Sequence, residues 1–145
     1  MDFKGAETNA DLHACYPVMA ELRPHLSEEA FVAQVGRQRR DGYRVVFLEL
    51  DGKVVAVAGY RISENLAWGR FMYVDDLVTE RDARSHGHGA KLLAWLEETA
   101  REQGCTMLHL DSNVLRTDAH RFYLRHGMIH RSHHFSKRLD DQGAP

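Results

Sequence analysis

Apolar residues recur at helical spacing through the first third of the chain, which predicts amphipathic helices. The first stripe is followed by Pro24, which predicts the end of a helix, and it comprises Leu12, Cys15, Val18, Met19 and Leu22. Ser27 before two glutamates has the pattern of a helix cap. A second helix is therefore predicted from Ser27 to about Asp41-Gly42, with an apolar stripe formed by Phe31, Val32 and Val35.

The pattern then changes to runs rich in β-branched residues. Residues 43–50 and 53–61 flank Asp51-Gly52, and an Asp-Gly pair between two such runs predicts a β-hairpin. A third strand is predicted over residues 70–79. The next predicted elements are a helix over 89–103, a strand over 107–110, a helix that Thr117 or Asp118 caps and Gly127 ends, and a weakly alternating strand over 133–139.

The order of these elements predicts an α/β (α+β) architecture, in which a mixed sheet carries helices on its faces. A chain of 145 residues has the size of one domain. We therefore expect a single domain over residues 1–140 and a disordered tail over residues 141–145.

Charge and cysteine content narrow the class of protein. The 19 basic and 21 acidic residues leave no basic excess that would attract nucleic acid or an anionic membrane. No apolar run approaches the ~20 residues of a spanning helix, and the first residues lack a signal-peptide core. Cys15 and Cys105 form no CxxC pair, which favours reduced cysteines and a cytoplasmic location. The ten histidines show no recognised ligand spacing, which favours ordinary imidazoles over a metal site.

The turn RSHGHG precedes the predicted helix over residues 89–103 and has the composition of an anion site. The first N–H groups of a helix have no internal partner, and the helix dipole adds partial positive charge there. Gly87 and Gly89 would let a phosphate approach the backbone closely, and Arg84 adds a cation. The third glycine of a dinucleotide fingerprint is missing, as is any GxxxxGK string, so neither of those phosphate loops fits.

The same residues match a family pattern. Arg84-x-x-Gly87-x-Gly89 resembles the Q/R-x-x-G-x-G/A pyrophosphate motif of the GCN5-related N-acetyltransferases (GNAT). The stretch AHRFYLRHG over residues 119–127 resembles the A-x-x-x-Y-x-x-x-G segment of that family, and the likeness runs from about Tyr43 to Leu139. Within the family, the second half of the chain is most similar to bacterial aminoalkylphosphonate acetyltransferases.

The resemblance implies a central, mixed, mostly antiparallel twisted sheet flanked by about four helices, and acetyl-CoA as the co-substrate, without a metal. It implies that backbone amides of β-strand residues Leu77, Val78 and Thr79 pair with the pantetheine arm. His88 departs from the family, which usually has a small aliphatic residue there. The other cofactor-binding positions that it implies are Arg84, His86, Gly87, His88, Gly89, Ala90, Lys91, Asn113, Arg116 and Arg121.

Acetyl transfer to an amine requires a proton acceptor, because an alkylammonium ion with a pKa of ~10 is not a nucleophile. Asp75 and Asp76 are the candidates for attracting the cation and accepting its proton. Strict alternation places them on opposite faces of their strand unless a bulge intervenes, so one of them, Asp76 by preference, is expected to line the site. The resemblance places Tyr123 near the thioester sulfur, where it would protonate the departing thiolate.

The expected function is direct transfer of an acetyl group, in a ternary complex, to a primary amine of an aminoalkylphosphonate-like or polyamine-like small molecule. The alternatives are a non-catalytic acyl-CoA sensor of the same fold, a protein-lysine or N-terminal acetyltransferase, and a metal-binding histidine protein. The predicted strand over residues 133–139 would be exposed and would support a homodimer.

Overall fold

A computed structural model describes residues 2–84 and 86–141, except for the side chain of Asp2. The chain forms two units, one ending at Leu110 and the other beginning at Asp111. The elements of the first unit are β1 (Asp2–Gly5), α1 (Asn9–Leu22), α2 (Glu28–Arg39), β2 (Arg44–Leu50), β3 (Lys53–Asn65), β4 (Gly69–Thr79), a 3₁₀ turn η1 (Arg81–Ala83), α3 (His88–Glu102) and β5 (Met107–Leu110). In the second unit, α4 spans Thr117–Arg125.

The five strands form one mixed sheet in the order β1-β2-β3-β4-β5. The first four strands are paired antiparallel, and β5 lies parallel to β4. The predicted fold class, a mostly antiparallel mixed sheet with about four helices, is confirmed. β1 was not predicted from the sequence, because a strand of four residues at the sheet edge carries almost no periodic signal.

The local signals behind two predicted elements act as expected. The Ser27 hydroxyl accepts a hydrogen bond from the Ala30 amide and caps α2. Asp51 and Gly52 both have positive φ, at 53° and 76°, so they form the tight turn of the β2–β3 hairpin. Asp51 tolerates this left-handed backbone better than most residues that have a Cβ atom.

Apolar side chains cover both faces of the sheet. On one face, Val45, Phe47 and Val57 pack with α1 and α2 in a single buried cluster. The residues that alternate with them, including Val46 and Leu48, are also buried, and alternation directs them to the opposite face. The helix α3 packs against β2, β3 and β4 and buries the predicted stripe Leu92, Leu93, Leu96 and Ala100.

The pairing of β3 with β4 contains a bulge at the position of the adjacent aspartates. Gly59 pairs with Asp76 and the next residue, Tyr60, pairs with Val74, so Asp75 is an extra residue in β4. A bulge breaks strict alternation and turns consecutive side chains toward the same side. The expectation that only one aspartate would line a site therefore does not hold, as the cavity described below shows.

The second unit departs from the sequence-based predictions at two places. Arg116, and not Thr117 or Asp118, occupies the N-cap of α4, and no side chain caps the helix. The predicted strand over residues 133–139 is wrong, because this segment has no regular secondary structure. Its apolar residues Phe135 and Leu139 are 90% and 93% exposed. The homodimer prediction therefore loses the strand on which it rested. The tail expected over residues 141–145 lies outside the described residues from residue 142 onward.

Gly59 leaves room for a buried tyrosine, which makes it a sensitive position. A Cβ atom built at Gly59 would overlap the hydroxyl of Tyr43, a side chain that is only 2% exposed. Gly59→Ala should lower the free energy of unfolding by about 1–3 kcal/mol, since an overpacked core must shift. Urea denaturation would measure this loss.

The matched control is Gly36→Ala, because Gly36 lies inside α2 and a Cβ atom there meets nothing within 4 Å. Replacing a helical glycine with alanine should stabilise the protein by up to about 1 kcal/mol. Equally small changes in the free energy of unfolding for both variants would show that the packing of Tyr43 does not require glycine at position 59.

Candidate active site

A cavity of about 370 Å³ opens beside the bulge of β4. Its apolar wall comes from α1, α2 and the segment between them, and its polar wall includes Tyr43 and both Asp75 and Asp76. The complete lining is Met19, Arg23, His25, Leu26, Phe31, Gln34, Val35, Gln38, Tyr43, Tyr73, Asp75 and Asp76. The cavity can therefore hold a small molecule whose chain lies on apolar residues and whose polar end meets two carboxyl groups.

Asp76 is held by two side chains that come from distant parts of the sequence. Arg23, which ends α1, donates from Nε to Asp76 Oδ1 at 2.9 Å. Tyr43 donates from its hydroxyl to Asp76 Oδ2 at 2.6 Å. Burial and the Asp76 charge raise the pKa of Tyr43, so its phenol stays protonated and remains a donor.

Asp75 is paired with a different arginine. Arg61 of β3 donates from Nε and Nη2 to the two carboxylate oxygens of Asp75, at 3.1 and 2.8 Å. Burial raises the pKa of Asp75 above the ordinary value for aspartate, although Arg61 acts in the opposite direction. The Asp75 carboxylate, with a side chain 24% exposed, is thus a better proton acceptor than an ordinary aspartate.

The carboxyl end of β4 presents an open backbone edge. β5 pairs with β4 only from Phe71 to Val74. Beyond that point, no strand of the described chain pairs with this edge of β4, although β3 continues along the other edge to Thr79. The predicted residues Leu77, Val78 and Thr79 therefore lie on a strand that can accept an extended ligand as a further strand.

The amino end of α3 presents backbone amide groups. Gly87 is the N-cap residue, with φ 79° and ψ 9°, and no side chain within residues 2–84 and 86–141 caps the helix. The first intrahelical bond reaches Gly87 from the amide of Lys91, so the amides of His88, Gly89 and Ala90 precede the hydrogen-bonded turn. This arrangement fits the predicted pyrophosphate site, because anions bind where such amides converge with the helix dipole.

The side chains around this helix end differ in their exposure. Arg84, His86 and Lys91 are exposed, so their charges can reach an anion in solvent. His88 is only 5% exposed, and its Nδ1 has no hydrogen-bond partner in the described part of the chain. Burial lowers the pKa of His88, with His86 and Lys91 adding to the effect, so the imidazole is held neutral.

The remaining predicted residues belong to the second unit. Asn113 accepts from the Leu115 amide through its side chain and from His120 Nε2 through its backbone carbonyl. Arg121 forms an ion pair with Asp118, and Arg116 is exposed. Tyr123 is half-buried, and burial raises the pKa of its phenol.

Sequence reasoning missed the residues that hold the two aspartates in place. Arg23, Tyr43, Gly59 and Arg61 are at least 14 residues from the aspartates, and none lies in a recognisable motif. The only available signal was Asp75-Asp76 inside an otherwise apolar strand, which implies compensating cations but does not locate them. No cluster of three metal-ligating side chains is present within residues 2–84 and 86–141.

Comparison with known proteins places this arrangement in a family. Residues 7–128 match the acetyltransferase (GNAT) family. The chain is 31% identical over 143 residues to an aminoalkylphosphonate N-acetyltransferase from Salmonella typhimurium, covering 91% of this chain and 88% of the relative. It is 32% identical over 109 residues to an uncharacterized N-acetyltransferase, YhdJ, from Bacillus subtilis, covering 74% of this chain and 77% of the relative.

A structural neighbour supports the fold. An aminoglycoside N-acetyltransferase solved in complex with CoA superposes with a TM-score of 0.84 at 15% identity, covering 94% of this chain and 93% of that one. The chain therefore belongs to the acetyltransferase (GNAT) family, as its motifs predicted, and its class of activity is N-acetyl transfer. Among the described helices, none has the length and apolar character needed to cross a membrane.

The buried imidazole of His88 should reduce stability in mild acid. Because the folded protein disfavours the charged form, the unfolded chain binds a proton more readily, and stability falls as pH drops below the ordinary histidine value of ~6.5. His88→Leu should make this fall shallower between pH 7 and pH 5. It should also raise the free energy of unfolding at pH 7 by about 1 kcal/mol, since an unpaired buried polar atom is removed.

Urea denaturation at several pH values would measure both effects. His130→Leu is the control, because His130 is exposed and its replacement should leave the pH slope unchanged. Parallel slopes for His88→Leu and the unmodified protein would contradict the prediction.

Proposed function

We propose that this protein transfers the acetyl group of acetyl-CoA to a primary amine of a small molecule bound in the cavity beside the β4 bulge. One observation carries the proposal. The bulge brings two carboxyl groups to one cavity at the point where β4 becomes an open edge. An amine bound at the carboxyl groups and a thioester bound along the open edge would meet there.

The cofactor would bind almost entirely through backbone. Its pantetheine arm would extend β4 along Leu77, Val78 and Thr79, and its pyrophosphate would lie at the uncapped end of α3. Arg84 and Lys91 would add positive charge at that end. The further positions proposed for cofactor binding are His86, Gly87, His88, Gly89, Ala90, Asn113, Arg116 and Arg121.

The acceptor amine would lose its proton to the aspartate pair. The carboxylates attract an alkylammonium ion, and Asp75 or Asp76, directly or through water, would accept its proton. The raised pKa of Asp75 suits this role. Both oxygens of Asp75 accept hydrogen bonds from Arg61, and those of Asp76 accept from Arg23 and Tyr43, so each carboxylate is held in place and keeps further lone pairs for the ammonium group. We therefore assign proton transfer to the aspartate pair.

The neutral amine nitrogen would then attack the thioester carbon directly. Backbone N–H groups of β4 would polarise the carbonyl, the C–S bond would break, and Tyr123 would give its proton to the thiolate. The second proton, which the attacking nitrogen loses as the amide forms, would restore the Tyr123 phenol. The raised pKa of Tyr123 keeps its phenol protonated and able to donate. An acyl-cysteine step is not needed, and burial raises the pKa of Cys15 to about 12 and also raises that of Cys105, so neither thiol ionises readily.

The lining of the cavity favours an acceptor molecule that carries both a positive and a negative group. Asp75 and Asp76 would hold the ammonium group, while Arg23 and His25, on the same cavity, could meet an acidic group. An aminoalkylphosphonate-like acceptor has this combination of charges, as the name of the Salmonella relative suggests. A polyamine-like acceptor would use only the carboxylates.

The function is tested by thiol release from acetyl-CoA across aminoalkylphosphonates, polyamines, amino acids and aminoglycosides. We expect turnover with at least one small primary amine. Asp75→Asn and Asp76→Asn should each lower kcat/KM for the amine by about 10²–10⁴-fold, since a positioned proton acceptor is removed or misaligned. The KM for acetyl-CoA should change by less than about threefold.

Asp51→Asn is the control, because Asp51 lies in the exposed β2–β3 turn and asparagine tolerates its positive φ. Binding of CoA without thiol release for any amine would favour an acyl-CoA sensor. Turnover with peptides alone would favour a protein acetyltransferase.

Tyr123 is tested separately. Tyr123→Phe should lower kcat by about 10²-fold or more, because the thiolate would leave without a proton, and should leave the dissociation constant of CoA nearly unchanged. Stopped-flow turnover and calorimetry would measure the two quantities. Tyr60→Phe removes a half-buried hydroxyl from β3 and serves as the control. An unchanged kcat for Tyr123→Phe would remove this residue from the mechanism.

A further inference from the structure

Glu21, in the last turn of α1, contacts the segment that leads from β4 to the uncapped end of α3. Both of its carboxylate oxygens accept from the backbone amide of Arg81, at 3.0 and 3.2 Å. The same carboxylate lies 3.7 Å from Nη2 of Arg84 and 3.9 Å from Nε of Arg81. Glu21 is 21% exposed, so these contacts are partly shielded from water.

The position of these contacts along the chain gives them a consequence for the cofactor site. Arg81 begins the turn η1, and Arg84 follows the end of that turn. Three residues later, Gly87 is the N-cap residue of α3, and the amides of the first three helical residues follow it. A displacement of η1 would therefore move the arginine and glycine positions that the proposed function assigns to the pyrophosphate.

The two kinds of contact differ in strength. A hydrogen bond from a backbone amide to a carboxylate is charge-assisted and directional. The pair between Glu21 and Arg84 is longer than a hydrogen bond, and the Arg84 side chain is 52% exposed, so its guanidinium stays available to an incoming anion. The hydrogen bond, rather than the ion pair, is the contact that fixes the backbone.

We propose that Glu21 is a positioning residue for the cofactor: through the Arg81 amide it holds η1, and with it the pyrophosphate-binding turn, in the geometry that binds coenzyme A. This inference rests on the proposed function for the identity of the ligand. Glu21 lies outside the family motif over residues 84–89 and outside the cavity lining. It would affect the cofactor without touching the acceptor amine.

A cofactor fragment provides the sharpest test. Acetyl-CoA and S-acetylpantetheine carry the same thioester, but the fragment lacks the pyrophosphate. Glu21→Ala should raise the KM for acetyl-CoA and the dissociation constant of CoA about tenfold, as expected for loss of a charge-assisted hydrogen bond. The kcat and the KM for S-acetylpantetheine should stay within about twofold of the unmodified protein.

Conservative variants separate the hydrogen bond from the charge. Glu21→Gln keeps an oxygen that accepts from the Arg81 amide, so it should restore CoA binding to within about twofold. Arg81→Pro removes the amide hydrogen at the first position of a helical turn, where proline is tolerated, and should reproduce the tenfold loss. Arg81→Ala and Glu98→Ala, which alter exposed side chains, are the matched controls.

The outcomes are distinct. Losses of equal size on acetyl-CoA and S-acetylpantetheine would overturn the proposal, since they would show that Glu21 supports the fold in general. Unchanged CoA binding in Glu21→Ala and Arg81→Pro would overturn it, as would a tenfold loss in Glu21→Gln. If the unmodified protein binds no CoA, the proposed function fails, and this inference fails with it. If the unmodified protein binds CoA but the variants give the overturning results, this inference alone fails.

Discussion

The extra residue in β4 at Asp75 is the constraint on which the rest of the site depends. It turns both aspartates toward one cavity, and it occurs immediately after Val74, where β5 stops pairing with β4. A regular strand would send one carboxyl group to the opposite face and would leave the site with one acid. A single irregularity in one strand thus lies between the proposed acceptor site and the proposed cofactor site.

A bulge that gathers two carboxylates needs opposite charge nearby, because partly buried carboxylates are costly when unpaired. Arg61 meets Asp75 from the neighbouring strand, and Arg23 meets Asp76 from the end of α1. The Arg61 guanidinium also lies 5.5 Å from the centre of the Tyr43 ring, whose hydroxyl donates to Asp76. The two pairs therefore form one connected network, and an arriving ammonium ion would enter a site whose carboxylates are already balanced.

The backbone conformation at the proposed cofactor site could be predicted from the sequence because it is local. A glycine that adopts positive φ, followed by a helix that lacks a capping side chain, is encoded within a few consecutive residues. Gly87 and the start of α3 were placed to within one residue by this signal, as were the Asp51-Gly52 hairpin and the Ser27 cap. The strand predicted over residues 133–139 was wrong because a weak alternation says nothing about whether a pairing partner exists.

The acceptor side could not be predicted, because it depends on contacts between residues that are distant in sequence. Tyr43 reaches Asp76 only because Gly59, in the strand between them, has no Cβ atom. None of these three residues carries a local signal for its role. The sequence around the tyrosine predicts only a strand, the glycine has low β-propensity, and the aspartate is typical of a charged strand end. The register of the strands brings these three residues together. The pairing of β3 with β4 includes a one-residue shift that the β-propensities of the residues do not encode. The family motif therefore predicts the cofactor from consecutive residues, while the side chains proposed to receive the amine come together only in the folded sheet.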